Sequence, residues 1–160
     1  MKALVTSLAG LLGVFLAAGC GPGVDLAKTL RVQGVSSGWI DQGVVKGKKK
    51  LVPTLSLTLT NDSNQNLKML QVNALFRRVG DEDEWGTDFV TLVGTDGLDP
   101  GGSAAVSVKS PIGYTSTESG AAMLSNSYFV DARVDVFARY GATRWTRLGQ
   151  YRISRQLLAH

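Results

Sequence analysis

The sequence predicts an all-β fold, an immunoglobulin-like antiparallel β-sandwich of about seven or eight strands. Three observations predict it. From residue 28 onward apolar and polar residues alternate with a period of two, the repeat of a strand with one buried face. Turn signals rich in Asn, Asp and Gly recur about every ten residues. Helical spacing is scarce, with room for one or two turns only between Ser119 and Leu124. The 160 residues are 44% apolar and 19% charged, with 19 glycines against 4 prolines. That composition supports one packed domain with many tight turns, and it argues against disorder.

Residues 1–19 read as a leader. Lys2 is a short positive start, residues 3–18 are uncharged and mostly apolar, and the run stops at Ala17-Ala18-Gly19 before Cys20. This is the three-part layout of a secretory signal peptide. A spanning helix needs about 20 apolar residues, and Gly21-Pro22-Gly23 breaks any helix here at once. Residues 20–27 are expected to form a short flexible tether, and residues 28–160 the sandwich domain.

The strands follow in order. Arg31 to Ile40 and Val44-Val45 read as an opening hairpin around Asp41-Gln42-Gly43. Leu51, Pro53, Leu55, Leu57 and Leu59 share one parity; Val52, Thr54, Ser56, Thr58 and Thr60 share the other. That is a strand with an apolar inner face and a hydroxyl-rich outer one, and Pro53 should lie near its start or at an edge. Asn61 to Asn66 is a polar turn. A strand at about 68–79 points Leu70, Val72, Ala74 and Phe76 inward and Gln71, Asn73 and Arg77 outward. Asp81 to Glu84 is a charged loop, Phe89 to Val93 a strand, Gly94 to Gly102 a turn, and Ala104, Val106 and Val108 mark another strand. The stretch 111–126 is the least regular. The clearest alternation comes next, with Val130, Ala132, Val134, Val136 and Ala138 opposed to Asp131, Arg133, Asp135 and Arg139. Tyr140 to Thr143 turns the chain, and Arg144 to Ile153 returns as the last strand.

Several function classes lose their support at this level. One cysteine allows neither an internal disulfide nor a cysteine-based zinc site. The one histidine is the terminal His160, which leaves no serine–histidine or cysteine–histidine pair within a core. Net charge is +4, and without Lys2 the remaining 16 basic and 13 acidic side chains give +3, too few and too scattered for nucleic acid. The glycine-rich turns have neither a P-loop lysine nor a dinucleotide spacing, so no nucleotide is expected. The expectation is a non-enzymatic protein without cofactor.

The remaining constellations have plain readings beside functional ones. Asp81, Asp83 and Asp88 flank Gly86, but Trp85 occupies a ligand position and calcium-loop spacing fails, so a solvated loop and no metal are expected. Asp131 and Asp135 lie on one strand face with Arg133 between them. That arrangement reads as a surface ladder of ion pairs in which replacing Asp135 is mild. Lys46, Lys48, Lys49 and Lys50 form the only basic cluster; it could touch anionic head groups, but guarding a strand edge or keeping the domain soluble is the favoured reading. Trp39, Trp85, Trp145, Tyr114, Tyr128, Tyr140 and Tyr151 sit mostly beside turns. An exposed cluster of them would be a partner surface. The loop Ser110 to Ser119 is long for a sandwich connection. Its Ile112 and Tyr114 either plug the end of the sandwich or contact a partner.

Two resemblances add to this reading. Ala17-Ala18-Gly19-Cys20 resembles the lipobox of bacterial lipoproteins, with Ala17 where leucine is commonest. It implies cleavage before Cys20 and lipid attachment at its thiol; the other reading is an ordinary secretory signal ending at a cysteine. Gly21 rather than aspartate after the cysteine implies the outer membrane, facing the periplasm. Two or more acyl chains give stable membrane attachment where one does not. The stretch Pro53 to Lys109, with its leucine-alternating strand, its Asn-Asp turn and Leu98-Asp99-Pro100-Gly101-Gly102 before Ala104-Val106-Val108, resembles the FxLYD-type domains of bacterial surface lipoproteins and, more loosely, the LEA14-like sandwich. The resemblance implies a non-enzymatic domain. The expected function is a membrane-anchored periplasmic lipoprotein that binds or scaffolds envelope proteins or the cell wall. The alternative is a carrier of a small apolar ligand or lipid between the sheets. A large empty cavity would favour the carrier, and a filled core with an exposed aromatic patch the binding module.

Overall fold

The computed structural model describes residues 23–159, so the leader, the lipobox and Cys20 lie outside the described residues, as does His160. Alternation along the chain resolves into eight strands: β1 (Leu30–Val45), β2 (Lys48–Asn61), β3 (Gln71–Arg78), β4 (Gly86–Thr91), β5 (Ser103–Lys109), β6 (Tyr114–Ser116), β7 (Ala132–Arg139) and β8 (Thr146–Arg152). Two short helices, α1 (Leu26–Thr29) and α2 (Gly120–Ser125), complete the elements among the described residues. One sheet runs β1-β2-β5, with β6 also paired to β2; the other runs β4-β3-β7-β8. All strand pairings are antiparallel. The chain changes sheets after β2, after β4 and after β6, which gives the immunoglobulin-like sandwich expected from the sequence.

The inward parities hold the sheets together. Leu51, Leu55 and Leu59 of β2, Val72, Ala74 and Phe76 of β3, and Val134, Val136 and Ala138 of β7 are all fully buried and belong to one contiguous cluster. Each large aliphatic or aromatic side chain so buried contributes about 1.5–3 kcal/mol relative to leaving it in water. Among the described residues no helix is long and apolar enough to cross a membrane.

Four local features differ from the sequence reading, each for a physical reason. Asp41-Gln42-Gly43 does not turn the chain. β1 passes through it with a register shift between Asp41 and Val44, a bulge that uses the positive φ of Gly43. The turn comes at Lys46-Gly47, whose φ angles of 51° and 78° are the paired positive values of a two-residue hairpin. Pro53 lies within the central strand rather than at its edge. It is tolerated because β5 pairs only from Thr54 onward and β6 only up to Leu51, so no ladder partner faces its missing N–H.

The third feature is the C-terminal segment, which pairs with β1. Trp39 N–H donates to Gln156 O at 2.8 Å, and Leu158 N–H donates to Trp39 O at 2.9 Å. Gly38 permits the approach, since a Cβ there would sit 2.7 Å from Leu158 Cγ and 2.8 Å from Gln156 O. Fourth, packing begins before residue 28. Asp25 caps α1, its Oδ1 accepting from Ala27 N–H at 3.1 Å. Leu26 is buried, and Val24 N–H donates to the Tyr140 hydroxyl at 2.8 Å. Residues 24–27 thus belong to the folded body, not to the tether.

Candidate functional site

The loop before β6 separates the two residues singled out in it. Gly113 lies against β2 so closely that a Cβ would fall 1.9 Å from Leu51 O. This approach sets Tyr114 into the end of the sandwich, where its ring stands 5.7 Å from Trp39, 4.9 Å from Trp85 and 4.9 Å from Phe129. Trp39, fully buried, meets Phe129 edge-on at 4.8 Å. The Tyr114 hydroxyl donates to Val130 O at 3.1 Å, and burial pushes the phenol's pKa up. Tyr114 thus packs, half-buried, across this end of the sandwich. Ile112 stands exposed outside this ring cluster. Tyr114, Met123, Tyr128 and Phe129 border a shallow cleft of about 180 Å³, below the size at which a site encloses a small molecule.

The charged face of β7 is built differently from a bare ladder. Asp135 is buried although its parity points outward. Its Oδ2 accepts from Arg77 Nη1 at 2.8 Å. Its Oδ1 accepts from Gln150 Nε2 and Arg147 Nε, both at 3.1 Å, and from Arg147 Nη2. Burial alone would raise the Asp135 pKa, but the hydrogen bonds and charges of Arg147, Gln150 and Arg77 outweigh it and hold the carboxyl below the usual range. Asp131 is held low in the same way, burial being outweighed by Arg152 and Arg155. Arg133 does not bridge the two carboxylates; it donates to Glu82 Oε1 at 2.7 Å and Asp81 O at 3.0 Å. The expectation that Asp135 tolerates replacement is therefore corrected: three neighbours on two other strands close over it.

The acidic loop carries no cation geometry. Asp81 pairs with Arg78 and accepts from Asp83 N–H, while Asp88 accepts from Lys109 N–H at 2.9 Å. Among the described residues no group of three or more His, Cys, Asp or Glu could hold a metal ion.

The feature sequence reasoning missed is on the outer face of the four-stranded sheet. Register aligns Phe89 of β4, Asn73 of β3, Phe137 of β7 and Arg147 of β8 in one row. Trp145, just before β8, reaches back to Phe89, their rings 6.0 Å apart and nearly perpendicular. The Arg139 guanidinium carbon stands 4.6 Å from the Trp145 ring centre, a cation–π geometry, and Arg139 Nε donates to Gln71 Oε1 at 2.7 Å. Phe89 is half exposed and Trp145 is 36% exposed. Asn73 Oδ1 is buried without a hydrogen-bond partner, an unsatisfied acceptor in the middle of the row. Arginine and aromatic side chains are what interface centres are made of. The signal that could have found the patch is pairing, because residues 89 and 145 meet only once β4 and β8 are placed on either side of β3 and β7.

No protein-family model and no curated protein matches the chain. The lipobox and FxLYD-type resemblances rest on the residues that carry them.

Proposed function

We propose that the protein is a non-enzymatic, lipid-anchored module of the bacterial envelope, facing the periplasm from the outer membrane, that binds another envelope protein. The observation that carries this reading is the exposed Phe89–Trp145–Arg139 cluster on the outer face of the β4-β3-β7-β8 sheet. Arg139 and Arg147 make the patch basic, and Asp135 beside them is already engaged by Arg77 and Arg147. A partner with acidic side chains around an apolar groove suits it. The alternative, a carrier of an apolar ligand, needs space between the sheets. The contiguous packing of Leu55, Leu59, Val72, Phe76, Val134 and Val136 weighs against that.

Pull-down from crosslinked cells tests the reading. A Phe89→Ala/Trp145→Ala protein should melt somewhat lower, since both rings are partly buried, and, assayed well below that melting temperature, should recover its partner at least about 30-fold less well than wild type, the loss of one interface hot spot. Equal recovery would remove this face from consideration. The anchor is tested separately by fatty-acid labelling. Label should vanish in Cys20→Ser, and equal label in both proteins would end the lipoprotein reading.

A further inference from the structure

The β1-β2 hairpin outruns its own sheet. β5 accompanies β2 only from Thr54 to Thr60, and beyond Pro53 just the three residues of β6 remain, opposite Lys49 to Leu51. Val44 to Lys48 therefore form a two-stranded tip with no strand on either side and no sheet beneath. Val44 is 68% exposed and Val45 43%. Being adjacent in a strand, they point to opposite sides of the ribbon. Lys46 and Lys48 stand exposed at the turn, Lys49 and Lys50 just behind it. Lys49 pairs with Asp41 at 3.1 Å, and Lys50 donates to Pro111 O at 2.7 Å. From Asp41 to Lys50 four lysines stand against one carboxylate, a local net charge of +3.

We propose that this hairpin tip docks on an anionic phospholipid surface, with Val44 and Val45 entering the headgroup boundary while the lysines meet the lipid phosphates. Charge complementarity selects an anionic surface. The valines select a bilayer over a soluble polyanion, since only a bilayer takes them out of water. Edge protection does not account for the arrangement. The Asp41–Val44 bulge already disrupts that edge, and exposed valines are the opposite of a guard against association. The site goes beyond the proposed function and does not depend on it. The N-terminal segment bonds to Tyr140, beside the β7 end that pairs with Gln71, whereas the tip lies past the start of β7 at the far pole. Along the 16 residues of β1 that separation is about 50 Å.

The described elements of the fold run from Leu26 to Arg152. The chain from residue 20 carrying Cys20→Ser keeps the described domain without leader or lipid, and the tip variants below report the tip's share of its binding. Cosedimentation is measured with mixed phosphatidylglycerol–phosphatidylcholine vesicles and with pure phosphatidylcholine vesicles. Binding should need phosphatidylglycerol and be released by salt. Lys46→Ala/Lys48→Ala should weaken it about 30-fold, and Val44→Ser/Val45→Ser about tenfold. Retention on immobilised polyphosphate should fall in the lysine variant and hold in the valine variant. Equal binding to both vesicle types, salt-insensitive binding of the wild type, or an unchanged lysine variant overturns the proposal. A valine variant that binds vesicles like wild type overturns it too, and assigns the tip to polyanions instead.

Discussion

Asp135→Asn removes a charge and almost no volume. The Asp135 side chain is 7% exposed, against 21% for Arg77 and 53% for Arg147. Hydrogen bonds to charged groups contribute about 1.5–3 kcal/mol each. Arg147, more than half in water, recovers most of its hydration when released, so the loss falls mainly on Arg77, left beside a neutral amide. The expected cost is about 3 kcal/mol, at the low end for breaking a buried pair. For a domain of this size that lowers Tm by about 10 °C. The sign of the pH dependence follows from the depressed carboxyl. The stability it contributes is fully present above the unfolded aspartate value, about 3.9, and is lost as pH falls through the lower folded value. In that window the unfolded chain binds more protons, so stability rises with pH. Thermal melts from neutral pH down to about 2 should show the variant well below wild type at neutrality and the gap narrowing below about 4. Asp131, also depressed, keeps part of the acid limb in both proteins. An unchanged Tm at neutrality, or a gap that does not vary with pH, would refute the reasoning.

Further substitutions probe the Tyr114 ring and its loop. Tyr114→Ala should cost about 3 kcal/mol, less than a fully buried ring, and Tyr114→Phe about 1 kcal/mol for the bond to Val130 O. Ile112→Ala should stay within about 0.5 kcal/mol of wild type, and thermal melts that reversed this ranking would mean the ring does not close the sandwich. Gly113→Ala should be severely destabilising, because its Cβ would meet Leu51 backbone. Gly94→Ala, with nothing within 4 Å, should be tolerated; denaturant midpoints compare the two.

Parity along β3 and β7 was legible in the sequence; on β2 the face read as outer is buried at Val52, Thr54 and Thr60, Val130 read as inward is exposed, and relations between strands were not legible. The inward sets of β3 and β7 follow from alternation because those strands are central and one face is wholly covered. The first hairpin was misplaced because Asp41-Gln42-Gly43 has stronger turn chemistry than Lys46-Gly47, and a bulge uses the same positive-φ glycine as a turn. Outward parity at Asp135 suggested solvent, but Arg77 and Arg147 come from strands flanking β7, and their reach depends on register. β6 escaped notice because three residues carry no period. The Phe89–Trp145 patch has no sequence-local signature, since it is a contact across the width of a sheet.

The C-terminal pairing has a consequence for how the chain reaches this fold. Trp39 lies in the first strand opposite Pro53, and its amide and carbonyl bond to Gln156 and Leu158. A chain emerging from its N-terminus holds the long hairpin, the Tyr114 ring and both sheets before the piece that seals this part of β1 exists. Until then the Trp39 amide and carbonyl bond to water, and the strand is open to pairing with another chain. Closing so long a loop is a slow, non-local event. Gln156 to Leu158 act as a latch, and this part of β1 keeps an unpaired backbone edge until that latch engages.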